Sequence, residues 1–435
     1  MLKNNELLKR SLASVWHPCT QMKHHETYPL IPITHGEGVW LYDADGKRYL
    51  DAVSSWWVNL FGHNNPRIKD AIKAQLDQLE HVMLAGFTHE PVVALSEKLA
   101  KLTGLGHAFY GSDGASATEI ALKMSFHFWR NSGKSNKTKF ISLQNSYHGE
   151  TLGALGVTDV AIFKDTYAPL LMQSAQMPSP DFRLAEAGES DEGFALRCAL
   201  ALETYVAAHH DHLAAFIIEP LVQCAAGMGM YHPVYLQRAR EICTQYQVHL
   251  IADEIAVGFG RTGTMFASEQ ANITADFICL SKGITGGYLP LSVVLTTDNI
   301  YQQFYDDRTV RGFLHSHSYT GNPLACSAAL ATLAIFETED VLSQNKRKAA
   351  FIQHEMQALT HLPVKHFRHR GMIHAFDVQT ENVNFSRDCY AAALQQGLLL
   401  RPIGNTVYWM PPYSISDAEI TTMIQATELA VQQSI

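Results

Sequence analysis

Short, mostly apolar runs recur through the middle of the chain, at 107–110, 138–143, 214–218, 248–253, 276–280 and 291–295, and several are apolar at every position rather than at alternate ones. Such runs predict strands buried on both faces, the habit of a parallel sheet. Between the first two, Ala117, Ile120, Ala121, Met124 and Phe128 repeat at helical spacing, and Ser116 with Glu119 reads as a capping box opening that helix. Strands alternating with helical stretches predict an α/β domain with a mostly parallel sheet. Beyond about residue 330 the pattern changes. Helical segments at 328–336 and 343–360 precede a strand-like 372–378 and a helix from Ala392. Short strands follow around 399–401 and 407–410, then a last helix opened by Ser416 and Glu419. Near the start, 38–42 and 48–51 suggest a hairpin. The predicted organisation is therefore a large α/β domain over 61–330 and a small α+β domain over 331–435. The N-terminal segment, 1–60, is expected to pack with the small domain.

Composition narrows the class without naming a chemistry. The 435 residues are 47% hydrophobic and 17% charged, enough for a large core and unlike a disordered, collagenous or coiled-coil chain. Net charge is −9, with no block of like charge, so nothing argues for nucleic acid or an anionic membrane. Residues 1–10 are polar and lack the apolar core of a secretory signal. The apolar stretches 214–218 and 289–295 are far shorter than the roughly 18 residues of a membrane span. Seven dispersed cysteines without a CxxC read as reduced thiols, which points to the cytoplasm. His209, His210 and His212 lack metal-ligand spacing and read as a solvated turn, so no metal is expected.

Three glycine motifs fail as nucleotide sites. Residues 258–263 fit GxGxxG, but five residues, 253–257, separate them from the apolar part of the preceding strand. Gly133-Lys134-Ser135 resembles the end of a P-loop, yet Phe128 stands where its first glycine must be. Gly36-Glu37-Gly38 is more simply a turn.

Two strand ends carry the chemistry. The strand 248–253 closes on Asp253 and Glu254, and the strand 276–280 leads to Ser281-Lys282 and then Gly283, Gly286 and Gly287. An acid at a strand end is either a helix cap or a ligand group, and a lone lysine there is usually a surface charge. Beside a buried strand and a glycine-rich turn, however, desolvation can lower the lysine pKa and expose a nucleophilic amine. An acid and a lysine on neighbouring strand ends are what pyridoxal phosphate chemistry requires. The lysine makes a Schiff base and the carboxylate keeps the pyridine nitrogen protonated. Ser112-Asp113-Gly114-Ala115, leading into a helix, suits a phosphate through free N–H groups and the positive dipole end, although an ordinary glycine turn would look the same. Tyr147, after the strand 139–143, could stack on the pyridine face. The hydroxyl-rich 316–323 precedes a helix and offers further phosphate contacts.

These residues together resemble a known family. Asp253-Glu-Ile-Ala-Val-Gly258-Phe-Gly-Arg261-Thr-Gly263, then Asp276, then Ser281-Lys282 with Gly286-Gly287, is similar to the signature of the class III pyridoxal-phosphate aminotransferases. The likeness runs from Trp16-His-Pro18 to Met410-Pro-Pro-Tyr413. Within the family, Trp16-His-Pro18, Ser54-Ser55-Trp56-Trp57, His81-Val-Met, Ile218-Glu-Pro220 with Gln223, Gly321-Asn-Pro-Leu-Ala325 and Leu400-Arg401-Pro402 resemble the branch that aminates 8-amino-7-oxononanoate with S-adenosylmethionine in biotin formation.

The resemblance implies fold type I, with the active site between the two domains at a homodimer interface, and pyridoxal 5'-phosphate as cofactor. It implies Lys282 as Schiff-base lysine and proton shuttle, and Asp253 as partner of the pyridine nitrogen. Gly114 and Ala115 would bind phosphate, and Tyr147 would lie over the ring and line the substrate pocket. The segment around His317 and Ser318 would reach the phosphate of the neighbouring subunit. Trp56, Ser316 and Arg401 would hold the substrate, Arg401 gripping a carboxylate, with Arg261 either near the site or structural.

The chain departs from the family at several points. Cys19 stands where Tyr is frequent, removing a ring and a hydroxyl and leaving the amino donor open. Glu150 replaces a frequent Asp, His317-Ser318 a common Pro-Thr, and Asp113-Gly-Ala115 a Ser-Gly-Ser. Rival readings are another class III ω-aminotransferase acting on a diamine or ω-amino acid, an aminomutase, and a non-catalytic pyridoxal-binding protein.

Overall fold

The structure, a computed structural model, describes residues 3–28 and 30–435. The chain forms two compact units: Arg67–Asn345, and the chain up to Pro66 together with Lys346–Ile435. The helix Pro323–Thr338 lies whole within the first of these.

The larger unit is organised by a seven-stranded sheet. Its strands, numbered along the chain, are β1 (His107–Gly111), β2 (Lys139–Leu143), β3 (Ala175–Met177), β4 (Leu213–Ile218), β5 (His249–Asp253), β6 (Phe277–Leu280) and β7 (Ser292–Thr296). Their spatial order is β1-β7-β6-β5-β4-β2-β3. Only β7 runs against the rest, so the carboxyl ends of β1, β2, β4, β5 and β6 share one edge. All the strands expected from unbroken apolar runs are present, and every residue of β4, β5, β6 and β7 is buried. The three-residue β3, with two of its positions half-buried, carried no comparable signal.

Helix α1 (Gly114–Asn131) packs Ala117, Ile120, Ala121 and Phe128 on the sheet, against Ile217, Ile251, Phe277 and Val294. Burial of a side chain such as Ile120 or Phe128 contributes about 1.5–3 kcal/mol by leaving water, and the small alanines contribute less. Its start corrects the sequence reading. The N-cap is Asp113, whose Oδ1 accepts from the Ser116 amide (2.8 Å) and hydroxyl (2.9 Å). Ser116 lies inside the first turn, and Glu119 instead accepts from Thr151 Oγ1 (2.6 Å) and Gly153 N (2.8 Å). An extended Asp just before the helix places a carboxylate at the positive dipole end, and this outcompetes a serine cap three residues later.

The smaller unit holds a four-stranded sheet, Ile33–Glu37, Trp40–Asp43, Arg48–Asp51 and Leu398–Leu399 in that order. A second sheet pairs Val364–Arg370, Ile373–Val378 and Thr406–Trp409. The expected hairpin pairs Trp40–Asp43 with Arg48–Asp51, while Gly36, read as part of a turn, lies in the strand Ile33–Glu37, whose own turn to Trp40 comes at Gly38 and Val39. The helix expected from Ala392 runs Phe385–Gln395. It opens at Asn384 without a side-chain cap, so no start signal marked it. The helix expected over 343–360 is Val341–Glu355 followed by a 3-10 turn, Met356–His361. The final helix, Asp417–Gln432, has its capping box at Ser416 and Glu419 as expected.

Candidate active site

The shared sheet edge gathers the reactive groups of the larger unit, in the place where open α/β sheets bind ligands. Ser112 to Ala115 follow β1, Tyr147 and His148 follow β2, Glu219 follows β4, Asp253 ends β5 and Lys282 follows β6. Strands β5 and β6 are parallel neighbours, with Asp253 opposite Cys279, so the acid and the lysine stand on adjacent strand ends.

Asp253 is buried, and its two oxygens are used differently. Oδ1 accepts from Ile255 N (3.1 Å), while Oδ2 lies 2.7 Å from His148 Nδ1. His148 is fully buried and its Nε2 has no partner among the described residues. Glu219 is buried beside them. It accepts from Tyr147 N (3.0 Å) and Cys224 N (3.1 Å). Burial, reinforced by the Asp253 charge and opposed by His148, pushes its pKa up to about 7. Burial acts on Lys282 in the opposite sense, lowering its pKa against the pull of Asp253 and Glu219. An amine desolvated in this way is a better nucleophile and base near neutrality. Lys282 also has φ of +44°, the left-handed region that non-glycine residues rarely occupy.

A cradle adjoins this cluster. The Gly114 and Ala115 N–H groups open α1 and donate to nothing among the described residues, whereas Asp113 satisfies Ser116 N and Ala117 N. The loop after β2 crosses directly over this turn. Gly149 has φ of +122°, and a Cβ there would come within 2.6 Å of Ala115 Cβ and 2.9 Å of its Cα. Thr118 Oγ1 donates to His148 O (2.8 Å) and holds the crossing.

A hydrogen-bonded chain reaches the cradle from outside. Lys123 Nζ lies 2.8 Å from His315 Nδ1, His315 Nε2 lies 3.2 Å from His317 Nε2, and His317 Nδ1 lies 3.0 Å from Ser112 Oγ. An ammonium only donates, so each group along the chain accepts on one side and donates on the other. The Ser112 O–H is left to donate onward. Ser316 and Ser318 are exposed, whereas His317 is turned to Ser112 of its own chain. Tyr147 has its ring edge against Phe163, and its hydroxyl donates to Glu150 Oε1 (2.8 Å), the acid that departs from the family pattern. Arg261 is 1% exposed, and the GxGxxG-like segment around it forms turns that are buried over 258–262.

The smaller unit contributes a separate pair. The Arg401 guanidinium sits 4.5 Å from the Trp56 ring centroid and has no hydrogen-bond or acidic partner among the described residues. A guanidinium resting on an indole with its donors open suits a planar anion. Trp56 belongs to four consecutive residues, Ser54 to Trp57, that all have positive φ (50°, 47°, 73° and 73°). Left-handed backbone costs an L-residue roughly 1–2 kcal/mol, so this turn is held by its surroundings. Cys19 is exposed, with φ of +54°.

His148 and Glu219 carried no role in the sequence reading. Glu219 directly follows an all-apolar strand, and that signal could have found it. His148 could be found only by contact, since 105 residues separate it from Asp253.

A buried carboxylate, a desolvated amine and unpaired N–H groups at a helix start together fit pyridoxal phosphate, which needs a ring-nitrogen partner, an amine anchor and a phosphate cradle. Comparison with known proteins agrees. The Aminotransferase class-III family model matches residues 21–431. The adenosylmethionine-8-amino-7-oxononanoate aminotransferase of Helicobacter pylori is 49% identical, over 94% of this chain and 94% of its own. The crystal structure of the protein of that name from Methanocaldococcus jannaschii superposes with a TM-score of 0.92 at 36% identity, over 99% of each chain. An amine transaminase from an uncultivated Pseudomonas species, solved in its PLP-bound form, reaches 0.92 at 31% identity, over 97% of this chain and 99% of its own. With a family match and a fold match over nearly its whole length, the chain belongs to the class III aminotransferases, on the fold type I scaffold.

Proposed function

We propose that the protein transfers an amino group from S-adenosylmethionine to the ketone of 8-amino-7-oxononanoate, giving 7,8-diaminononanoate for biotin synthesis. The observation that carries amino transfer is the pairing of Asp253 and Lys282 on adjacent strand ends beside the open N–H groups of α1. The likeness to named relatives carries the choice of substrate.

Pyridoxal 5'-phosphate, when bound, supplies an electron sink for the carbon losing its proton. The chain's own residues do the rest. Lys282 Nζ would be the amine that anchors the cofactor and the base that takes the proton from the α-carbon of the donor; burial lowers its pKa toward that task. Asp253 would hold the proton on the ring nitrogen, and His148 fixes the orientation of its carboxylate. The Gly114 and Ala115 N–H groups and the Ser112 hydroxyl, oriented by His317, would hold the phosphate, with Ser318 adding a hydroxyl from the neighbouring subunit of a homodimer. Tyr147 would lie over the ring and line the substrate, and Trp56 would line its aliphatic part. Arg401 would close on its carboxylate, and Ser316 would help to hold it. No helix among the described residues is long and apolar enough to cross a membrane, and all seven cysteines are free thiols, in keeping with a cytoplasmic site of action.

The test is a donor screen with 8-amino-7-oxononanoate as acceptor. Transfer from S-adenosylmethionine supports the reading. Transfer only from lysine or another amine changes the donor, and activity restricted to diamines or ω-amino acids replaces the substrate.

A further inference from the structure

The left-handed turn that carries Trp56 is closed by backbone bonds from Trp57 N to Val53 O (2.8 Å) and from Val58 N to Ser54 O (3.0 Å), and side chains around it brace it further. Asp51, whose side chain is 0% exposed, ends the strand Arg48–Asp51 just before it. Its Oδ1 accepts from Val53 N (3.3 Å). Its Oδ2 accepts from Ser55 Oγ (2.7 Å) and meets His63 Nε2 at 3.0 Å. Asn59 Nδ2 lies 3.1 Å from His63 Nδ1. With an amide N–H directed at Nδ1, that nitrogen accepts, and Nε2–H is the donor to Asp51. One carboxylate is thus bonded to a residue inside the turn and to the imidazole beyond it.

The imidazole is itself boxed in. His63 exchanges backbone hydrogen bonds with Gly38, its N–H donating at 2.6 Å and its carbonyl accepting at 3.1 Å. A Cβ at Gly36 would come within 2.7 Å of His63 Cβ and 2.8 Å of its Cγ. The missing side chain at Gly36 thus leaves room for the ring that braces Asp51. Two further ties complete the frame. Ser54 Oγ donates to Met410 O (2.7 Å), and Trp57 Nε1 donates to the Tyr408 hydroxyl (3.1 Å). Trp57 is therefore pinned inward while Trp56, next to it, stays 43% exposed under Arg401.

We infer that Asp51 and His63 are positioning residues for substrate specificity: they hold the Ser54–Trp57 turn left-handed so that the Trp56 face and the Arg401 guanidinium meet a substrate carboxylate together. This rests on the proposal that Trp56 and Arg401 bind substrate. A relaxed right-handed turn would swing the indole away and leave Arg401 without its platform. Backbone strain of this kind persists only where the surroundings over-determine it, and it gathers at ligand-binding positions.

The experiment compares Asp51→Asn, His63→Leu, His63→Gln and Arg401→Lys as holoenzymes, with steady-state kinetics, cofactor retention and Tm read together. Asn keeps the volume of Asp51 but replaces one acceptor oxygen with a donor. Gln presents one N–H and one oxygen much as the two ring nitrogens do, whereas Leu presents neither. Asp51→Asn and His63→Leu are expected to raise KM for 8-amino-7-oxononanoate about tenfold, with kcat changed less than about twofold and the cofactor retained. His63→Gln should restore KM to within about threefold of the parent. Unchanged KM in Asp51→Asn and His63→Leu, with KM raised in Arg401→Lys, overturns the positioning role alone. Unchanged KM in Arg401→Lys overturns the substrate reading beneath it. A fall in Tm and kcat without a KM effect, or failure of His63→Gln to restore KM where His63→Leu raises it, also overturns the inference.

Discussion

The cofactor cradle and the Trp56 turn reach a defined geometry by opposite routes. In the cradle, position comes from the sheet: Asp253 and Lys282 stand where two buried parallel strands stop, and Gly114 and Ala115 where a buried helix starts. The Trp56 turn is short, irregular and half-exposed, and hydrogen bonds to Asp51, Met410 and Tyr408 oppose its preference for another conformation. A sheet-borne site tolerates chemical perturbation without moving, because the core positions it. A hydrogen-bonded turn can be shifted by one lost partner. The first suits a group that must stay fixed for proton transfer, and the second suits recognition that evolution can retune.

Substitutions should therefore affect the two regions differently. Lys282→Ala removes both anchor and base and should lower turnover by about 10²–10⁴-fold or more, with loss of the cofactor's visible absorption. Asp253→Asn, which replaces a charged hydrogen bond with a neutral one, should cost about 1.5–3 kcal/mol, roughly 10- to 150-fold in kcat, while Tm falls little. A large fall in Tm with modest loss of kcat would mean that Asp253 serves the fold rather than the chemistry.

Glu219 probes the electrostatics of the cradle through pH. Its folded pKa of about 7 lies above its ordinary value of 4.5, so the stability it contributes is complete below that value and is lost as pH rises through about 7. Glu219→Gln does not titrate. The stability of the variant relative to the parent should therefore rise across this window by up to about 1.4 kcal/mol per pH unit, measured by denaturant melts of both proteins. The depressed histidines His249 and His374 are common to both and cancel in the difference. A flat difference would show that Glu219 is already ionised. The smallest effect is expected in the other region. Arg401→Lys keeps the charge and loses the fork, so kcat/KM should fall about tenfold for carboxylate substrates with cofactor retention intact.

Much of the larger unit was legible in the sequence because its strands are buried on both faces. Runs such as Leu213–Ile218 and His249–Asp253 have no solvent-facing residue to blur them. The edge elements were harder to read. Ile33–Glu37, mostly exposed, and the charged Val364–Arg370 are strands by pairing rather than by composition. The cap at α1 was misassigned because Asp113 and Ser116 both carry capping oxygens, and only backbone conformation decides between them. At the site, Asp253 and Lys282 stood out because a charge ending an apolar strand is unusual. The contact of His148 with Asp253, and of His63 with Asp51, depends on chain crossings that local pattern does not encode. The positive φ of four successive non-glycine residues has no signature in residue type at all.

The most direct test of the central claim follows the nitrogen itself. Purified protein is supplied with pyridoxal 5'-phosphate, 8-amino-7-oxononanoate and S-adenosylmethionine carrying an isotopic label in its amino group, and the product is weighed by mass spectrometry. The account predicts labelled 7,8-diaminononanoate from the parent protein and none from Lys282→Ala. Unlabelled product, or no product while the parent aminates other ketones, would contradict it.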